Sequence, residues 1–203
     1  MPPIYHFTAG TNLEGIFAAR ELRAHRDAGN VTDIADPTIK DRRTRIRVPC
    51  GRRGFVSDYV PFYFATRSPM LFSIKSGNVP DVSPDQRLLI YFLSSTEALI
   101  EAGLTHVHTN GNASAAFTSF FDDVAALGEV DWELMAERQW ANTPDDNDRR
   151  RRRGAEFLVH GAVPLRLVSE LGVYDTAVKR RVEELLAEAG VDLPVAVRRN
   201  WYF

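Results

Sequence analysis

An α+β fold is predicted for this chain of 203 residues by three observations. Short runs rich in aromatic and branched residues, at 4–7, 60–65, 87–93 and 156–160, read as buried strands. Capped stretches of helical period lie among them. Their order has no βαβ rhythm and no glycine-rich phosphate loop, which argues against a doubly wound parallel sheet. The length suits one domain with a sizeable core, so residues 1–203 are expected to form a single unit.

The elements follow in order. Ile4 to Phe7 open the chain as a strand. Thr11, Asn12, Leu13 and Glu14 have the pattern of a capping box, and Leu13, Ile16 and Phe17 fall at helical spacing, so a short amphipathic helix is predicted. Residues 25–57 are polar, basic and weakly periodic. They predict a long loop with one helix near 36–46, and long ordered loops are often functional. The strands at 60–65 and 87–93 bracket a helical turn that Ser68-Pro69-Met70 starts and Ser76-Gly77-Asn78 ends. Ser94 to Glu97 cap a helix before a short strand at 104–108. Asp131 opens a helix reaching Trp140, a polar loop spans 142–148, and Glu156 to His160 form a strand. Two more strands, at 168–174 and 195–202, flank an amphipathic helix over 176–189.

Net charge is −2, but the charges are segregated. Lys40, Arg42, Arg43, Arg45, Arg47, Arg52 and Arg53 cluster in one segment, and Arg149, Arg150, Arg151, Arg152 and Arg153 are consecutive. Together they hold nearly half of the 25 basic residues. Such patches suit a polyanion, although solvated loops have the same composition. The amino terminus lacks the pattern of a signal peptide, and no run approaches the roughly 18 apolar residues of a membrane span. A cytoplasmic protein without membrane contact is expected. Cys50 is the single cysteine and reads as packing. His106 and His108 share a strand face but lack a nearby third ligand, so no metal is expected.

Glu156 follows the arginine run at the start of a strand, a rigid place for a carboxylate. Taken alone, a surface glutamate beside cations is the commoner outcome. His6 and Thr8 lie at i and i+2 and share a face. Alternation along Phe62-Tyr63-Phe64 buries the two phenylalanines and turns Tyr63 to the other side.

Several words now come together in fixed order. They are Ile4-Tyr5-His6-Phe7-Thr8 followed by Asn12-Leu13, Arg42-Arg43, Tyr59-Val60-Pro61-Phe62-Tyr63-Phe64, Arg67-Ser68-Pro69-Met70-Leu71, Asn110-Gly111-Asn112-Ala113, Ala155-Glu156-Phe157-Leu158-Val159 and the closing Trp201-Tyr202-Phe203. In these words the chain resembles DarT, the DNA ADP-ribosyltransferase toxins of DarTG toxin–antitoxin systems. The resemblance covers essentially the whole chain. It departs from the family pattern at Ala9, where a second histidine is usual, and at His108-Thr109-Asn110, where Phe-Thr-Asp is usual.

The resemblance implies an ADP-ribosyltransferase-like split β-sandwich holding NAD as co-substrate. It also implies transfer of ADP-ribose to N3 of thymine in single-stranded DNA, and a macrodomain-type antitoxin as partner. Glu156 and Arg43 are implied as catalytic. His6, Phe7, Thr8, Gly15 and Arg43 are implied to bind NAD, and Tyr63, Arg67, Met70, Trp140 and Arg149 to Arg153 to bind DNA. The chemistry suits these residue types. Loss of nicotinamide leaves an oxocarbenium-like ribose that a carboxylate stabilises, and a guanidinium, which stays protonated to a pKa above ~12, suits a developing thymine anion better than it suits a base role. Two other readings fit the residues alone. One is a nucleic-acid-binding module without catalysis, and the other an ADP-ribosyltransferase acting on another base, RNA or protein.

Overall fold

The computed structural model describes residues 1–28 and 32–203. These form ten strands: β1 (Pro3–Ala9), β2 (Glu21–Arg23), β3 (Tyr59–Tyr63), β4 (Leu89–Ser95), β5 (His106–Thr109), β6 (Phe120–Phe121), β7 (Glu156–His160), β8 (Ala162–Pro164), β9 (Glu170–Val173) and β10 (Val195–Val197). The helices are α1 (Leu13–Ala19), α2 (Pro37–Arg45), α3 (Pro69–Lys75), α4 (Thr96–Glu101), α5 (Trp132–Ala136), α6 (Arg149–Arg153) and α7 (Thr176–Ala189). Eight strands make one mixed sheet in the order β10-β9-β4-β1-β3-β7-β5-β6, and β2 pairs with β8 beside it. The expected α+β class is the observed one.

Local chemistry sets the helices. Asp36 caps α2 by accepting the Thr38 N–H at 2.8 Å, with Pro37 at the first position, where its missing N–H costs nothing. Ser68 and Pro69 do the same for α3, the Ser68 hydroxyl accepting from Leu71 N–H at 3.2 Å. Asp175 caps α7, which spans the predicted 176–189 and ends where Gly190 takes the left-handed conformation. The expected capping box at Thr11 is absent. Its hydroxyl donates to Thr32 instead, residues 10–12 wind as a 3-10 turn, and α1 starts without a side-chain cap.

Alternation along the strands sorts two cores. Ile4, Phe62, Phe92 and Phe157 lie on the face covered by α7, whose Val182, Leu185 and Leu186 are buried against it. Phe7, Tyr63, Leu89 and Tyr91 lie on the other face with Leu71 and Ile74 of α3 and with Tyr202. The predicted helix from Asp131 stops at Ala136, short of Trp140, and the last strand stops at Val197, giving way to a 3-10 turn. Of the loop expected at 25–57, residues 29–31 lie outside the described ones.

The sheet divides at its centre. β1 pairs with β4 along its full length, from Pro3↔Ser95 to Ala9↔Leu89, whereas its pairing with β3 is confined to Tyr5↔Tyr63. Continuing that antiparallel register would set Phe7 opposite Pro61, which has no N–H to offer the ladder. The Pro61 carbonyl does face β1, but the His6 side chain takes it through Nδ1 at 2.8 Å. The strands part there, and the gap positions the site.

Candidate active site

The cleft at this gap has two communicating parts, of about 670 and about 310 Å³, which share His25, Asp33, Pro61, Tyr63 and Met70 as walls. The smaller is lined by His6, Phe7, Thr8, Asn12 and Gly15, and the larger by Arg43, Ser73, Asn112, Asn142 and Arg150. Strands β1 and β3 thus supply lining residues directly, while Glu156 of β7 lines neither part and adjoins the cleft through Arg43.

Glu156 is fully buried, which rules out a surface glutamate. Arg43, near the end of α2, donates to it with both forks, Nη1 to Oε1 at 3.1 Å and Nη2 to Oε2 at 2.9 Å. The Ala113 N–H donates to Oε1 at 3.0 Å, so the Asn110 to Ala113 word supplies a backbone donor to the carboxylate. Beneath it, Thr109 accepts the Glu156 N–H at 2.9 Å and donates to the Gly111 carbonyl at 2.7 Å. Burial lowers the Arg43 pKa, but the charge and hydrogen bonds of Glu156 outweigh this and raise it above its ordinary value. The guanidinium is a fixed cation between the carboxylate and the cleft. Arg42 turns away to the Ser114 carbonyl at 3.3 Å, and Arg45 pairs on the surface with Asp41 at 2.8 Å.

Tyr63 sits directly across from Glu156 in the β3–β7 register. Burial, then the Glu156 carboxylate, push its phenol pKa well up, so it stays neutral. It stacks on Phe7 with ring centroids 5.9 Å apart and reaches Met70 Sδ at 3.5 Å, which joins α3 to the floor of the cleft.

In the smaller part, the Pro61 carbonyl can only accept, so His6 carries its proton on Nδ1 and its Nε2 is an acceptor. Burial lowers the His6 pKa despite the carbonyl bond, which keeps the ring neutral near neutral pH. Thr8 is buried and its hydroxyl accepts from Asn12 Nδ2 at 2.8 Å. Asn12 also clasps Thr32, donating to its carbonyl at 2.9 Å and accepting its N–H at 2.7 Å. The sequence names this residue in a cap and in one of the shared words, but not among the site residues. A Cβ on Gly15 would meet nothing within 4 Å, so its smallness answers no packing demand and leaves the cleft wall open. Asn12→Ala strands the Thr8 hydroxyl and the Thr32 N–H, and is expected to cost about 1–3 kcal/mol of stability, which thermal melts check.

Of the other residues named from the sequence, Arg150 and Arg151 border the cleft and the rest lie elsewhere. Trp140 is buried edge-on to Phe72 and Phe203, with centroids 5.8 and 6.4 Å away, and closes the carboxyl terminus against α3. Arg67 donates to the Tyr202 carbonyl at 2.8 Å and borders a different depression from Tyr63 and Met70. The arginine run is not the open polyanion surface its composition suggests. It forms α6, with Arg149 paired to Glu137, Arg151 to Asp148 at 2.7 Å, and Arg152 to Asp131 at 2.5 Å and to Asp146. Arg153 is buried and donates to the carbonyls of Leu134, Met135 and Glu137. The acidic loop before the run and α5 neutralise it, which no count along the chain reveals. Arg150 and Arg151 reach the cleft wall, Arg150 with a weak contact to Ser73 at 3.4 Å.

Residues 5–203 match the family model described as ssDNA thymidine ADP-ribosyltransferase, DarT. The chain belongs to the DarT family. It is 37% identical over 204 residues to a DNA ADP-ribosyl transferase of Thermus aquaticus, covering 98% of this chain and 88% of that protein. The solved structure of Thermus sp. 2.9 DarT in complex with ADP-ribosylated ssDNA superposes with a TM-score of 0.93 at 35% identity, over 99% of this chain and 96% of that one. The same DarT in complex with NAD+ gives 0.88 at 33% identity, over 99% and 97%. Among the described residues no group of three or more His, Cys, Asp or Glu could hold a metal ion, and no helix is long and apolar enough to cross a membrane.

Proposed function

We propose that this chain transfers ADP-ribose from NAD to N3 of a thymine in single-stranded DNA. The observation that carries this is the two-forked pairing of partly buried Arg43, on the wall of the larger cavity, with fully buried Glu156 behind it. Its DarT membership, and a relative solved with NAD+ and with ADP-ribosylated ssDNA, support the same reading.

In this mechanism the nicotinamide end of NAD occupies the smaller cavity. His6 Nε2 accepts from the carboxamide, Thr8 holds the adjoining ribose, and Gly15 lets the dinucleotide approach α1. Breaking the bond between ribose C1′ and the nicotinamide nitrogen leaves the electron pair on nicotinamide, which departs neutral. Glu156 stabilises the cationic ribose electrostatically, in a site where low polarity strengthens the effect. Arg43, held by both forks to the carboxylate, borders the larger cavity and faces the incoming base. There it stabilises the thymine anion as N3 gives up its proton and attacks C1′. Nicotinamide and one proton are released. The target base enters from the larger cavity beside Met70 and Arg150, a flexible apolar side chain and a cation that suit an unstacked nucleotide.

The non-catalytic reading drew its strength from the arginine run, and most of those guanidiniums are internally paired. The same proposal includes one catalytic domain over 1–203, action in the cytoplasm, and a macrodomain-type antitoxin that reverses the modification. Incubation with labelled NAD and separate pools of single-stranded DNA, duplex DNA, RNA and protein tests the function. Label is expected on thymine of the single strand, with duplex a poor acceptor because its base must first be extruded. Label confined to RNA or protein, or nicotinamide release without a labelled acceptor, overturns it.

A further inference from the structure

A third depression, of about 470 Å³, shares no lining residue with the active-site cleft. Its walls include Thr66, Arg67, Arg138, Arg153 and Asn200, with Glu137 as the carboxylate at the rim. Glu137 is engaged by Arg149. Arg153 is only 4% exposed and forms no ion pair among the described residues. Nη1 serves three carbonyls, while Nε is buried without a partner. Burial, against some help from Glu137, brings its pKa down to about 10, and the nearby Arg67 adds to this. It is still cationic at neutral pH. Arg67 is pulled down too, by burial and then by the charges of Arg138 and Arg199. Several guanidiniums thus crowd one pocket with their repulsion uncompensated by a dedicated carboxylate. A buried cation left in that state is costly unless an anion completes the site.

The surroundings indicate which anion. Phe203 lies under the Arg67 guanidinium at 5.6 Å and touches Phe72, centroids 5.4 Å apart. Phe72 is 40% exposed on α3, the helix whose Met70 and Ser73 line the cleft. An exposed aromatic ring between a base-sized cleft and a cluster of arginines is the arrangement that single strands use, with bases stacked and phosphates paired to guanidinium forks. We propose that this pocket is a phosphate subsite. It takes a backbone phosphodiester of the bound strand beyond the target nucleotide, with a flanking base on Phe72. This rests on the proposed action on single-stranded DNA.

Arg138 tests it, since it is exposed, lies outside the cleft and has no ion-pair partner among the described residues. Arg138→Gln and Arg138→Glu are compared with the unmodified chain on two oligonucleotides carrying one thymine, of about four and about sixteen nucleotides, by anisotropy across a salt series and by single-turnover transfer. The longer strand is expected to bind unmodified protein more tightly. Arg138→Gln should lose roughly five- to tenfold on the long strand and flatten the log–log salt slope by about one, and Arg138→Glu should lose more. Affinity and rate on the short strand should be unchanged. Equal losses on both lengths, or none on the long one, overturn the subsite. So does thermal stabilisation by inorganic phosphate that needs Arg138 while the long strand binds independently of it, since the pocket then serves a free anion. Failure of the unmodified chain to label either oligonucleotide overturns the function itself, a distinct result.

Discussion

Glu156→Gln is expected to lower single-turnover transfer to DNA by about 10³-fold or more while oligonucleotide binding stays near the unmodified level. The size follows from removing a preorganised charge aimed at a developing cation, an effect of about 10²–10³ for a single dipolar donor and larger for a full charge. Glutamine is the informative replacement because the side chain does structural work as well. It accepts from both forks of Arg43 and from Ala113 N–H in full burial. The amide keeps the shape and one acceptor oxygen. Glu156→Ala instead strands a cation at a largely enclosed site, a loss of about 3–5 kcal/mol that would confound a rate with unfolding. Thermal melts run beside the kinetics separate the two. A folded Glu156→Gln protein that labels DNA at near the unmodified rate would remove Glu156 from the mechanism.

What the sequence made legible is what short-range chemistry controls. The α7 boundaries follow from Asp175 and Gly190, and the start of β7 at Glu156 from a turn glycine followed by an apolar run. Phe62 and Phe64 go to one core and Tyr63 to the cleft because strand alternation has no other option. The strands β2, β6 and β8, of two or three residues, are shorter than any periodic pattern can reveal. The arginine run misled because it was read without its partners: Asp146 and Asp148 just before it, and Asp131 and Glu137 at the two ends of α5, which only folding brings to α6. Asn12 was hidden for the same reason, since its role depends on Thr8 and Thr32 together. One signal was in view and unused. Pro61, inside an otherwise central strand, announces a ladder that cannot be completed on one side, and that is where the sheet parts.

Arg43→Lys is expected to cost about 10²-fold or more in transfer, whereas Arg45→Ala stays within about twofold. The two arginines lie two positions apart on α2, and the structure gives them opposite circumstances. Arg43 meets both carboxylate oxygens of Glu156 through a planar fork and borders the cleft. A lysine ammonium keeps the charge but cannot form that parallel pair of bonds, nor spread its charge along a flat thymine edge. Arg45 is paired at 2.8 Å with Asp41 one turn away, both side chains being largely in solvent, where such a pair contributes at most ~1 kcal/mol. Single-turnover rates for the two variants, with melts to establish folding, decide between geometry and bulk charge. If Arg43→Lys retained the unmodified rate, positive charge alone would suffice at this position, and the oriented guanidinium would drop out of the proposed mechanism.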